Sequence, residues 1–345
     1  MSCGVTTRTG TVEGGTSTSR STLVARLFIC ALVIESIFQS CSVRPVARMT
    51  VAAPALEQSA LLYIALEKGY FAKNGIDASI VDVDTGPAAI AAVKSGEAQI
   101  GETAEFPFVG AALAAADLRI IAADDRFEND YLVARKESGI AKIADLKGKR
   151  IGVTFGAITE FYLGRFLALN GIPPTGVKLV DLRPGDFVAA AIGGRTDAVV
   201  AWQPFVSRIA AARPGAFAVW PVQSSQFVYG ILICEGAWLQ DHGDAEVGFL
   251  RSLVQASDFV LRNRTAAEAL VAKRLNYDIS YLDSVWPEHQ FRATLDYSLI
   301  AAMEDEARWS AGRSSTVPAK IPDFVAMVSS AGLAAVDKAG VTLMR

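Results

Sequence analysis

Thr154-Phe155-Gly156-Ala157-Ile158-Thr159 leaves a short apolar strand, Ile151 to Val153, and enters a helix. Such a junction leaves backbone N–H groups unpaired and turns the positive end of the helix dipole outward. Gly156 removes a side chain where backbone must come close. A loop of this kind can hold a small anion without any Arg or Lys. The plain alternative is a helix start that Gly156 or Thr159 merely caps. Gln58-Ser59 stands at the matching helix start in the first half of the chain, where Ser59 is either an N-cap or a ligand hydroxyl. The loop Glu102 to Pro107 carries Thr103, Glu105 and Phe106. A carboxylate beside a bound anion repels it, so Glu105 suits the ammonium end of a zwitterion, or is simply a solvated loop residue. Trp202 and Phe106 offer the apolar walls that a small organic solute needs; the alternative for each is core packing.

Other chemistry is poorly supplied. Cys3, Cys30 and Cys41 lie in or at the edge of the first forty-odd residues, and Cys234 sits alone in the apolar strand YGILICE, where a thiol reads as a small core residue. His242 and His289 are the two histidines, neither near a cysteine or another histidine. A zinc site needs three or four clustered ligands, so neither metal nor cofactor is expected. No Ser-His-Asp order and no paired-carboxylate signature stands out. Asp186, after Pro184-Gly185, reads as a helix cap. A formal net charge of −3 with no basic block gives no footprint for nucleic acid.

The elements that must position these loops occur twice. Leu61 to Gly101 and Ile151 to Pro204 each run helix, Asn-Gly-Ile, strand, short helix, glycine and strand. Asn74-Gly75-Ile76 answers Asn170-Gly171-Ile172. In the first copy, apolar Leu62, Ala65, Leu66 and Tyr70 at helical spacing predict a helix over 60–72. Strands follow at 76–83, 98–101 and 118–123. The βαβα order predicts a mostly parallel sheet with helices on its faces. In the second copy, strands at 151–153, 177–180 and 198–201 alternate with helices at 159–169, 187–192 and 205–212. Beyond Glu235 the chain reads as helical. Ligands of open α/β sheets gather beyond the carboxyl ends of the strands, which selects the loops named above and the one that carries Trp202.

At 345 residues, 51% hydrophobic and 20% charged, the chain suits a soluble two-lobed protein with a leader. Leu23 to Phe38 is apolar but short of the ~20 residues that span a bilayer, and Glu35 interrupts it. A secretory apolar region is the better reading. Phe38-Gln39-Ser40-Cys41 resembles a lipoprotein processing site, which leaves lipidation at Cys41 or ordinary cleavage near Val46 to Met49 as the two outcomes.

ALEKGYFAKNGID, KSGEAQIG, DLKGKRIGV, FGAITEFYLGRFLALNGI and GGRTDAVVAWQPF, in that order, resemble the periplasmic solute-binding proteins of ABC importers, in the nitrate, sulfonate and taurine group. The resemblance runs from about Thr50 to Val325. It implies the two-lobed periplasmic-binding-protein fold (type II): two α/β lobes joined by a two-strand hinge. The implied divisions are a leader over 1–46, a first lobe over 47–134, a second over 135–229 and a return to the first over 230–345. It also implies a periplasmic monomer that binds a small organic anion or zwitterion and hands it to an inner-membrane permease. With it, the anion reading of 154–159 gains over simple capping. The candidate site residues are Gln58, Ser59, Thr103, Glu105, Phe106, Thr154, Gly156, Ala157, Thr159 and Trp202. A binding protein for a thiamine pyrimidine precursor or an aromatic carboxylate is the alternative within the class, and a sensor module is another. A pyrimidine-synthase-like enzyme of the same fold would need an active-site His and a Cys-rich segment, which this chain lacks.

Overall fold

Ala47–Pro54 forms strand β1, wholly buried from Val51 onward. The computed structural model describes residues 9–11, 14, 46–224, 226–313 and 320–343; the apolar segment 23–38 and Cys41 lie outside them. Helix α1 (Ala60–Glu67) follows. It is shorter than the spacing predicts, because Gly69 adopts φ +66° and splits off a separate turn, Tyr70–Lys73. Strand β2 (Ile76–Val83) then pairs with β1 in parallel along its full length. Helix α2 (Gly86–Ser95), strand β3 (Ile100–Ala104), helix α3 (Glu105–Leu113) and strand β4 (Leu118–Phe127) complete the first run. Glu102 therefore lies inside a strand and Glu105 opens a helix, although both read as loop residues in the sequence.

Strand β5 (Asp130–Arg135) begins the second run, followed by β6 (Arg150–Val153), helix α4 (Ile158–Leu169) and β7 (Lys178–Asp181). Helix α5 (Phe187–Gly193), β8 (Ala198–Trp202), helix α6 (Phe205–Ala212) and β9 (Phe217–Pro221) close it. Strand β10 (Val228–Glu235) leads into helices α7 (Gly243–Arg262), α8 (Arg264–Leu275) and α9 (Tyr297–Arg313). No helix among the described residues is long and apolar enough to cross a membrane.

Two five-stranded sheets result, in the orders β2-β1-β3-β10-β4 and β7-β6-β8-β5-β9. The duplication read from the sequence is thus real in the topology. Three strands of each copy align in parallel, and each sheet is completed by one antiparallel strand from beyond the hinge, β10 or β5. That exchange corrects one expected boundary. Asp130 to Ala134 pair with β8 and β9, so the chain leaves the first sheet at Glu128-Asn129, not at 135. It returns between Pro221 and Val228.

Gln223 ties these two crossings together. Its Nε2 donates to the carbonyl of Phe127 at 3.0 Å, and its Oε1 accepts from the Asp130 N–H at 2.8 Å. The Val222 N–H donates in turn to the Asp130 carbonyl. Buried at 1% exposure, this amide satisfies both hinge segments at once.

Candidate functional site

Four helix starts converge on the space between the sheets. The turn Glu57–Ser59 that leads into α1, and the starts of α2, α3 and α4, supply Gln58, Gly86, Pro107 and Ile158 to one cleft. It encloses about 500 Å³, counting its open mouth. No Lys or Arg lines it. Its charged lining residues are Asp84 and Asp130, and its free donors come from backbone: the N–H groups of Ile158 and Thr159 have no partner among the described residues, and each helix turns its positive end inward. Gly86 is required where α2 begins, because a Cβ there would lie 2.3 Å from the Thr103 hydroxyl.

Of the residues expected here, Gln58, Ala157 and Trp202 line the cleft. The Trp202 ring is held edge-on by Phe187 and Phe205. Ser59 lies behind it, fully buried, and its hydroxyl donates to the Pro54 carbonyl at 2.8 Å instead of capping α1. The Thr154 hydroxyl donates to the Leu182 carbonyl. Thr103 packs beneath α2 and donates to the Ala104 carbonyl. Thr159 is buried, with a hydroxyl that finds no partner.

Gly156, Phe106 and Glu105 fall elsewhere. The Gly156 N–H is occupied by the Glu160 carboxylate at 2.8 Å, so this residue cannot present it to a ligand. Gly156 and Phe106 instead line a separate outer depression with Trp309 and Arg313. Phe106 stacks on Phe161 and meets Trp309 edge-on; it does not face Trp202. Glu105 is wholly buried behind the hinge, where its Oε2 accepts from the Tyr229 N–H at 3.0 Å. Burial pushes its acid up to about 8, while the Tyr229 N–H pulls the other way. Glu306 beside it is raised too, by burial and by the Glu105 charge, so both favour the protonated form at neutral pH.

A second buried group of acids backs the first half of the cleft. The Gln58 Nε2 donates to Glu102 Oε1 at 3.3 Å, and burial pushes Glu102 up to about 8. Asp124 is raised by burial and by Glu102. Asp125 hydrogen bonds His289. Burial disfavours the imidazolium, but the Asp125 carboxylate outweighs it and holds His289 above its ordinary range. Cys234, as its apolar strand predicts, is a buried thiol, and burial pushes it up to about 12. Among the described residues no group of three or more His, Cys, Asp or Glu is arranged to hold a metal ion.

Sequence reasoning missed Asp130, Thr85 and Phe127, all in the cleft wall. Asp130 carried a usable signal. It shares strand parity with Leu132 and Ala134, both in the apolar core, so a carboxylate heads an inward-facing row.

Solved structures with this architecture include the alkanesulfonate-binding protein SsuA of Xanthomonas axonopodis pv. citri, bound to MOPS. It aligns with TM-score 0.72 and 20% identity over 83% of this chain and 99% of its own. The desulfurization enzyme DSZB also aligns, with TM-score 0.63 and 13% identity over 84% of this chain and 98% of its own. The fold alone therefore does not decide between binding and catalysis. In sequence, the taurine-binding periplasmic protein of Escherichia coli K12 is 30% identical over 192 residues, covering 55% of this chain and 56% of its own. Residues 57–267 match the NMT1/THI5-like family model, well over half of the sequence, and the chain belongs to the NMT1/THI5-like family.

Proposed function

We propose that this chain is the substrate-binding component of an ABC importer, capturing a small organic anion of the sulfonate and taurine class. The observation that carries this reading is the convergence of four helix starts on a cleft without basic side chains. That construction receives an anionic head by backbone N–H groups, while Trp202, Pro107 and Ile158 cover an apolar body. The similarity to the taurine-binding and alkanesulfonate-binding proteins supports the same class.

Capture works by hinge closure. The solute bridges the helix starts of both halves, stabilises the closed form, and the inner-membrane permease recognises that form. The protein acts as a monomer in the periplasm, exported by the leader, with cleavage near 46–49 or lipid attachment at Cys41. Nitrate fits the helix-start geometry but leaves the apolar wall unused. A thiamine pyrimidine precursor is the second reading, favoured by one feature: a flat Trp202 wall beside a carboxylate.

A thermal-shift screen with taurine, alkanesulfonates, nitrate and aminopyrimidines tests the reading. At one hundred times Kd, a binder stabilises the protein by about 2.7 kcal/mol, so a sulfonate is expected to raise the midpoint clearly. A midpoint unmoved by every sulfonate at millimolar concentration contradicts it. Small-angle scattering with a bound sulfonate tests closure, since the radius of gyration should fall.

A further inference from the structure

Asp130 opens β5 where the chain first enters the second sheet, and it is 2% exposed. Packing alone gives no reason for a carboxylate there. It lines the cleft with Trp202, its direct cross-strand neighbour in the β5–β8 ladder. Side chains opposite one another in such a ladder stand about 5 Å apart at Cβ. The backbone of Asp130 is fully engaged, its N–H by Gln223 and its carbonyl by Val222. The carboxylate is not: Oδ2 has no hydrogen-bond partner. Burial pushes this acid up to about 7.

We propose that Asp130 receives an amino group of the bound solute, with the Trp202 ring as the adjoining wall, so that the cleft selects organic anions that also carry an amine. The zwitterionic ligand expected from Glu105 is thus kept, but its cationic end moves to a different carboxylate. An ammonium supplies the donors that Oδ2 lacks and sits against both a carboxylate and an indole. A plain sulfonate of the same length would bury the carboxylate unpaired, which costs about tenfold in affinity or more. For a sulfonate ligand the inference rests on the capture reading above, and it narrows the class to aminosulfonates such as taurine.

Taurine and ethanesulfonate differ only in the amine, and calorimetric titration of the full chain at pH 7.5 compares them. Wild type should bind taurine at least about tenfold more tightly. Asp130→Asn should lose most of that preference, with taurine weakened and ethanesulfonate bound as tightly as by wild type or more so, and circular dichroism reports that the variant is folded. Equal wild-type affinities overturn the assignment of Asp130 and leave sulfonate capture standing. If neither sulfonate binds but 4-aminopyrimidine does, and Asp130→Asn loses it, Asp130 stands and sulfonate capture falls. Ethanesulfonate binding without any amine-bearing probe overturns the Asp130 assignment alone, and failure of every probe to bind wild type overturns both. Should Asp130→Asn not fold, the wild-type comparison decides alone.

Discussion

The two halves share a topology but not an interior. Elements of the first half and its C-terminal helices bury Glu57, Glu102, Glu105, Asp124, Asp125 and Glu306. Between Tyr131 and Pro221 the buried polar side chains are Thr154, Thr159, Thr196 and Gln203, all neutral. A sheet scaffold copied twice has thus been filled once with buried carboxyls and once without. Carboxyls raised by burial therefore belong to one half and the crossing, while in the other half the shifted carboxyls, Asp145 and Asp197, are nearer the surface and lowered by hydrogen bonds. Asp130 lies on the border between the two regimes.

The largest expected effect is on stability as a function of pH. Glu102 and Glu105 titrate near 8 in the folded protein, against about 4.3 in an unfolded chain. The folded state therefore holds the protons more tightly. Stability contributed this way is complete below about pH 4, declines as pH rises and is gone above about 8. His289, also raised, acts in the same direction. Each carboxyl contributes up to about 1.4 kcal/mol per pH unit. Calorimetric midpoints should accordingly rise from pH 8 down to pH 5; a flat or opposite profile breaks the comparison.

Next in size, Phe187→Ala empties the neutral half of a wholly buried ring that supports Trp202 and Phe205. The expected loss is about 3–5 kcal/mol, the same at pH 5 and pH 8 by urea unfolding. Glu306→Gln sharpens the contrast from the acidic side. It removes one of two buried carboxyls whose charges repel when ionised, so it should stabilise at pH 8 by about 1.4 kcal/mol, one pKa unit's worth, and do little at pH 5. Ser59→Ala is the smallest change. Loss of the hydroxyl bond to Pro54 should cost about 1 kcal/mol at either pH, measured by the same unfolding.

The scaffold was legible because it is local and repeated. The Asn-Gly-Ile turns, the strand–helix alternation and the glycine-bounded strands follow periodicities a few residues long. The site was legible where it follows from strand ends, as with Gln58, Ala157 and Trp202. It was obscure where long-range pairing decides. Nothing within the segment DYLVAR reveals that its pairing with β8 and β9 sets Asp130 against Trp202. Glu102 and Glu105 read as loop residues because carboxylates in a strand or at a buried helix start contradict the usual polarity pattern. The chain shelters them by keeping them protonated and by bonding Gln58 and the Tyr229 N–H. Gly156 was misplaced because its neighbour Glu160 reaches back and takes the N–H that a ligand would use.

The cluster of Phe106, Phe161 and Trp309 joins the halves at a point apart from the two crossings. Phe106 comes from α3, Phe161 from α4 and Trp309 from α9, and a Cβ on Gly164 of α4 would come within 2.4 Å of the Trp309 ring. Two crossing strands on their own would let the halves bend, twist and slide. A third bearing point away from those strands limits that freedom, as a third leg steadies a stool.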